Sequence, residues 1–375
     1  MRRFLFPLVS LLVYGLAAAA QAAPVPLAVE ETFFSVDIQG KPYRLQARVA
    51  KEPGRTGRLP VALITHGQNL EPAALANLDK TGYATLVREF ARRGWLAVMV
   101  VRRGFGKSQG PTPYALRGCR NGDYADVLDE QTDDISAAFS AIARRQDADM
   151  TRVVGIGASV GGAVMLNLAA RAPAGLQAVI NISGGVTSRP ADGSNRPTSC
   201  QPKDLPPVFA AYGKRSRIPT LWLYAENDSL FPADYVRGMH DAYVAGGGVS
   251  EFHMFAPLKV DGHDLYVAPE GIQQWLPVAD DFLRARKWPS FDPAPLDAAL
   301  KAALPVPAAN YFSKLYNARP TEKALSLAPS GKQGFISYGR PTLEQAAKDS
   351  LEGCNKQGPR PCRVVLQNFD VIPAP

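Results

Sequence analysis

Hydrophobic positions fall into two rhythms along the chain. Thr32–Ile38 and Tyr43–Ala50 read as two strands around the turn Gln39-Gly40-Lys41-Pro42. Beyond them come short, largely apolar runs at Pro60–Thr65, Trp95–Val101, Arg152–Ile156, Leu176–Ile182, Thr220–Tyr224 and Glu251–Phe255. A strand is apolar along its whole length when both of its faces are covered, as in a parallel sheet. Between the runs stand segments with helical spacing: Tyr83–Arg93, Tyr124–Arg144, Val160–Arg171, Asp234–Ala245 and Ile272–Arg286. This alternation predicts an α/β protein built on a mostly parallel, doubly wound sheet.

The rhythm changes after residue 288. Pro289–Pro307 holds five prolines among many alanines, so 289–310 is read as a linker or irregular connection. The tail, 311–375, reads as a small α+β module of β-β-α-β order. Its strands are Lys323–Leu327 and Gly334–Tyr338 around Pro329-Ser330-Gly331-Lys332, then Arg363–Phe369. Its helix is Thr342–Cys354, with Thr342 as cap. No internal repeat is visible.

Composition changes this picture mainly at the front. With 375 residues, 46% hydrophobic and 20% charged, the chain can bury one large core, assigned to 23–288, and something smaller. Residues 1–22 stand apart. Arg2 and Arg3 precede the apolar run Phe4–Ala20, which ends in Ala20-Gln21-Ala22, the three parts of a secretory signal peptide. Export to the periplasm or beyond is expected. Stable membrane insertion is not, because no later apolar run approaches the length of a membrane span. The formal charge of +8 falls to +6 without Arg2 and Arg3. Its basic residues are scattered, which suits a solvated surface near anionic envelope polymers and argues against nucleic-acid binding. Four cysteines in an exported chain predict two disulfides. No Cys-x-x-Cys or His-Glu-x-x-His spacing occurs, so no structural or catalytic zinc or other metal is expected. Oligomeric state leaves no mark in the sequence.

One stretch poses the chemical question. "VVGIGASVGG", Val153 to Gly162, is a strand running through a glycine-rich turn into a helix, which could cradle a phosphate or mount a nucleophile. A dinucleotide fingerprint needs G-x-G-x-x-G/A, and Val160 stands where the last small residue belongs. The nucleophile elbow needs G-x-S-x-G, and Gly157-Ala158-Ser159-Val160-Gly161 fits at every position. A second glycine-rich stretch, "RRGFGKSQG", ends in Gly106-Lys107-Ser108 like a phosphate loop, but Val101 occupies the position of the required first glycine. Arg102, Arg103 and Gly104 are read as the turn after Trp95–Val101, near the rim of the site.

A nucleophilic serine needs a base and a group that orients the base. Only four histidines are available. His240 falls inside a helix and is read as a surface residue, and His253 lies inside a strand and is read as core. His66 follows the strand Pro60–Thr65 and is read as structural support for its loop. His263, in "VDGHDLY" beyond the last strand and beside Gly262, is the candidate base. "LWLYAENDSLFP" supplies the acid after a strand; Asp228 is preferred to Glu226 because it lies deeper in the loop and reaches further over the sheet. Oxyanion donors are expected from the backbone N–H of Val160, opening a helix, and of Gln68, after the His66-Gly67 turn.

The chain order Ser159, Asp228, His263 is that of the α/β-hydrolases. From about Pro60 to Arg286 the sequence resembles the dienelactone-hydrolase-like branch of that fold. "THGQN", "RRGFGKS", "GIGASVGG", "LYAENDSLFP" and "DGHDLY" carry the likeness, in the family's order. The resemblance implies an α/β-hydrolase fold and ester hydrolysis through an acyl-enzyme, on a small-molecule ester and without a cofactor. Dienelactone itself is not the expected substrate, since that enzyme's nucleophile is cysteine and position 159 is serine. Prolyl-oligopeptidase-type peptidases share the elbow and the order, but carry a large domain ahead of the hydrolase domain. An inactive hydrolase fold serving as an envelope-binding module is the other alternative, and it has no need of all three residues. Among the cysteines, Cys354 and Cys362 flank a short helix-to-strand loop and are expected to pair. Cys119 and Cys200 lie on long loops at the carboxyl edge of the sheet, and their pairing would bridge the mouth of the site.

Overall fold

The computed structural model describes residues 25–68, 72–111, 124–186, 205–357 and 360–373. The expected signal peptide and the expected Cys119–Cys200 bridge lie outside these residues.

Eight strands form one sheet: β1 (Ala28–Ile38), β2 (Lys41–Lys51), β3 (Leu59–Thr65), β4 (Leu96–Val100), β5 (Ala148–Ala158), β6 (Leu176–Ile182), β7 (Thr220–Ala225) and β8 (Ser250–Phe255). Their order is β1-β2-β4-β3-β5-β6-β7-β8. The β1–β2 hairpin is antiparallel and β2 runs antiparallel to β4, while every pair from β4 through β3 to β8 is parallel. The hairpin turns on two residues, Gln39 and Gly40, at φ 54° and 76°. Two consecutive left-handed residues match the twist of the flanking strands. β3, β4 and β7 are buried at every position, as their continuous apolar runs require.

Helices cover both faces. α1 (Tyr83–Arg92) and α6 (Pro269–Arg284) share one core layer. α2 (Tyr124–Ile142), α3 (Val160–Arg171), α4 (Leu205–Arg215) and α5 (Ala233–Ala245) share the other. β8 is an edge strand and only half-buried, so His253 is not the core residue its apolar neighbours suggested. His240 is not a free surface residue either: it is half-buried, with Nε2 2.7 Å from Ser250 Oγ. Among the described residues no helix is long and apolar enough to cross a membrane.

The stretch 289–310 is not an irregular linker. It forms α7 (Ala294–Ala303) and opens α8 (Val306–Asn317), with Pro293 and Pro305 as N-caps and Pro295 and Pro307 in the first turns. A helix's first N–H groups have no partner to lose, and proline's fixed φ suits the first turn, so these prolines start helices. Leu296, Leu300, Leu304, Ala309, Phe312 and Tyr316 then face a shared core with Leu325, Leu327, Val365 and Leu366.

The tail is a four-stranded antiparallel sheet, β9 (Ala324–Leu327), β10 (Gly334–Ser337), β11 (Arg363–Gln367) and β12 (Asp370–Val371), in the order β10-β9-β11-β12. α9 (Leu343–Gln357) crosses it. β12 adds a short strand to the expected β-β-α-β series. Cys354 at the end of α9 and Cys362 before β11 form a buried disulfide, Cα atoms 6.1 Å apart, as the short intervening loop implied.

A buried polar network joins this module to α1 and α6. Arg93 grips Asp280 through two bonds of 2.7 and 2.8 Å and reaches Glu89 at 2.8 Å. Glu89 Oε1 accepts from the N–H and hydroxyl of Thr321 at 2.6 and 2.7 Å. Arg92 pairs with Glu322 at 2.7 Å, and Asn368 donates to the same carboxylate. Arg93 neutralises Glu89 and Asp280 within the sheet domain, and Arg92–Glu322 is the charge pair that crosses to the module, so the buried charges are paired as burial demands. Lys323 is also buried, and its Nζ donates to the carbonyls of Tyr316 and Arg319 at the end of α8, 2.9 Å each.

Candidate active site

Ser159 stands between β5 and α3 at φ 55°, ψ −129°, a region that L-residues with a side chain rarely enter. The flanking glycines explain how the turn closes. A Cβ on Gly157 would lie 2.0 Å from the Gly161 carbonyl oxygen, and one on Gly161 would lie 2.5 Å from that of His66. Backbone fills the space above both glycines, so no phosphate fits there, and Ser159 is lifted to the carboxyl edge of the sheet. Its carbonyl accepts from Gly162 at 2.8 Å and from Gly185 at 3.2 Å. Gly106-Lys107-Ser108 is likewise no phosphate loop: Lys107 N–H donates to Gln46 and Ser108 Oγ donates to the Val101 carbonyl, pinning the turn to β2.

Three of the sequence candidates converge. His263 Nε2 lies 3.1 Å from Ser159 Oγ, and His263 Nδ1 lies 3.1 and 3.2 Å from the two oxygens of Asp228. With Nδ1–H donating to the carboxylate, Nε2 presents its lone pair to the serine hydroxyl. Asp228 is 3% exposed, and its Oδ1 also accepts from the N–H groups of Leu230 and Phe231, 2.9 Å each. Those bonds fix the carboxylate in place. The Phe231 ring packs against His263, centroids 5.5 Å apart, closing one side of the imidazole.

The residues around Asp228 hold the histidine in place, and sequence reading missed them. Asn227 Nδ2 donates to the carbonyls of Leu258 and Val260, and its Oδ1 accepts from Leu258 N–H. Ser229 donates through both its N–H and its hydroxyl to Asp261, whose Oδ1 also caps His263 N–H at 2.9 Å. Three consecutive side chains therefore bind one loop to the other. His263 itself sits in a single 3-10 turn, Gly262–Tyr266, and Gly262 is needed because a Cβ would meet Asp228 N at 2.6 Å. The only sequence signal was the run of short polar side chains Asn227-Asp228-Ser229.

On the other side of Ser159 lies the His66-Gly67-Gln68 turn. His66 is fully buried; its Nε2 accepts from Arg102 N–H at 3.0 Å, so the proton sits on Nδ1, which donates to the Gly67 carbonyl at 2.7 Å. Burial, and then the Arg102 charge, push the imidazole well below its usual pKa and keep it neutral. Arg102 donates to Thr65 Oγ1, to the His66 carbonyl and to the Gly67 carbonyl. Arg103 is clamped to Asp134 by its N–H at 2.7 Å and its Nε at 2.6 Å. Both arginines are buried braces and not rim residues, since continuing the apolar strand carries them under the turn.

Peptide planarity then decides where Gln68 N–H points. The Gly67 carbonyl is drawn into the protein by His66 and Arg102, so the N–H across the same trans peptide points the opposite way. Gly67 lies against Ser159: a Cβ there would stand 2.8 Å from Ser159 Cβ. No acceptor among the described residues bonds the N–H of Gln68 or of Val160, the first residue of α3. No group of three His, Cys, Asp or Glu among the described residues is placed to hold a metal ion.

Residues 79–202 match the family described as serine aminopeptidase, S33, a span that contains Ser159 and ends before Asp228 and His263. Curated proteins give no significant match to the sequence. Solved structures similar to this one include a protein designated a dienelactone hydrolase from Klebsiella pneumoniae subsp. pneumoniae, 20% identical over 70% of this chain and 98% of that one, TM-score 0.46. An esterase from Pyrococcus furiosus is 13% identical over 70% and 91%, TM-score 0.48. An acylaminoacyl peptidase from Pyrococcus horikoshii is 15% identical over 70% and 42%, TM-score 0.46. The parallel sheet behind an antiparallel hairpin, with a serine elbow after β5, is the α/β-hydrolase fold.

Proposed function

We propose that this protein is an exported serine hydrolase that cleaves carboxylic esters of small molecules through an acyl-enzyme. The observation that carries the reading is the unbroken line Ser159–His263–Asp228, with each link at 3.1 Å. His263 Nε2 takes the hydroxyl proton as Ser159 Oγ attacks the ester carbonyl, and Asp228 steadies the imidazolium that forms. The negative charge moving onto the carbonyl oxygen is met by the N–H groups of Val160 and Gln68. One such donor is worth about 2.7–4 kcal/mol in the transition state. Collapse of the tetrahedral intermediate expels the alcohol, which takes its proton from His263, and water then repeats the cycle on the acyl-serine. Every step uses groups of the chain and water, so no cofactor is required. Export follows from the leader-like first 22 residues and accords with the Cys354–Cys362 disulfide.

The match of residues 79–202 to serine aminopeptidases favours a second reading, an amide-cleaving enzyme with the same triad. Nitrophenyl esters of graded chain length and aminoacyl nitroanilides, assayed side by side, separate the two. Ester turnover at least about 100-fold above amide turnover is expected, and the reverse ratio would make the protein a peptidase. Ser159→Ala should lower kcat by about 10⁴–10⁶ while the fold persists. A purified variant with more than a few per cent of wild-type turnover removes Ser159 from the chemistry, and with it the whole reading.

A further inference from the structure

Two tyrosines outside the triad link its two halves. Tyr83, buried at the start of α1, accepts the Gly67 N–H on its hydroxyl at 2.8 Å. The His66–Gly67 peptide is thereby held at both ends, its carbonyl by Arg102 and its N–H by Tyr83. The Tyr83 ring stacks on Tyr266, centroids 5.4 Å apart and planes 26° from parallel. Their hydroxyls interact, and that contact, followed by burial, raises the Tyr266 hydroxyl well above its usual pKa. Tyr266 belongs to the same 3-10 turn as His263. Gly82, just before α1, is pressed so closely onto the next residue that a Cβ would lie 2.3 Å from Val267 Cγ2. The start of α1 therefore sits against the histidine turn on one side and the His66-Gly67-Gln68 turn on the other.

We infer that Tyr83 and Tyr266 are positioning residues which hold the Gln68 N–H and the His263 imidazole in one frame around Ser159. The inference rests on the proposed esterase reading. A single turn separates Tyr266 from His263, and a single peptide separates Gly67 N–H from Gln68 N–H, so each tyrosine acts through its neighbour and neither touches substrate. The alternative for a stacked pair, one ring buried and one partly so, is packing alone. Packing would be served equally well by phenylalanine, whereas the positioning role needs the hydroxyls.

Tyr83→Phe keeps the stack and leaves the buried Gly67 N–H without its acceptor. The expected result is a fall in kcat of about 10–100-fold with KM within about twofold, because the loosened donor matters most when charge develops on the substrate oxygen. Affinity for a trifluoromethyl ketone or boronate, which places an oxyanion in the site, should fall by the same factor as kcat/KM. Tyr266→Phe should show a smaller loss of the same kind. The double variant should lose less than the product of the two, since both act on one link. A folded Tyr83→Phe with kcat within about threefold of wild type, or with kcat lowered but inhibitor affinity intact, overturns the inference. Should Tyr83→Phe fail to fold, Tyr266→Phe decides on the same two readouts. Ser159→Ala, run in parallel, tests the esterase reading separately: wild-type-like Ser159→Ala sinks that reading, whereas inert tyrosine variants beside a dead Ser159→Ala sink only this one.

Discussion

Arg93→Met would show how much the buried ion cluster between α1 and α6, on which the C-terminal module rests, contributes to stability. Methionine nearly fills the aliphatic volume but removes the cation shared by Glu89 and Asp280, whose side chains are 0% and 6% exposed. Burial alone lowers the Arg93 pKa, but Asp280, and then Glu89, outweigh it and raise the guanidinium above its ordinary value, so it is charged in the native state. Without it Asp280 keeps one donor, the Phe291 N–H at 2.8 Å, and Glu89 keeps the two from Thr321. Breaking a buried pair from one side costs about 3–5 kcal/mol. The donors that remain place the expected loss near the lower end, about 3 kcal/mol. Guanidinium unfolding at about pH 7.5 reads it as a lower midpoint at unchanged slope. A loss below about 1 kcal/mol would refute the reasoning.

Two further predictions concern single residues. Gly67→Ala must push either Ser159 or its own loop aside, since the new Cβ would stand 2.8 Å from Ser159 Cβ and 3.4 Å from Oγ. Turnover should drop about 100-fold or more with little change in thermal stability, and a fully active variant would show the contact to be slack. Burial lowers the Lys323 ammonium to about 7. Between there and the ordinary lysine value of about 10.4 the unfolded chain binds a proton that the native state lacks, so stability should rise with pH across that window. Lys323→Met should flatten the rise, and an unchanged stability–pH profile in the variant would place its origin elsewhere.

The parts of the fold visible in the sequence were those whose cause is local. β3, β4 and β7 announce themselves because strands covered on both faces are apolar almost throughout, and the elbow is five consecutive residues, although only Gly157 is fixed inside the turn while Gly161 is fixed by the His66 carbonyl. Prolines misled where position mattered more than identity: Pro295 and Pro307 begin helices that their number seemed to forbid, and no helix was read at Leu205–Arg215, which opens with Pro206 and Pro207. The histidine clamp stayed hidden because Ser229 and Asp261 are 32 residues apart and ordinary in type. Arg102 looked like a rim residue because charge usually means solvent. Only the buried carbonyls of His66 and Gly67, which no sequence pattern displays, explain why it turns inward.

Glu89 and Thr321 are 232 residues apart in the chain. At translation rates of about 5–20 residues per second, α1 leaves the ribosome about 10–50 s before the residue that satisfies its buried carboxylate. Burying that side of α1 before then would leave Glu89 Oε1 without the Thr321 donors, at a cost of about 1–3 kcal/mol. The last donors to a carboxylate near the front of the chain thus come from its far end, and a chain still being made carries that cost until the module arrives.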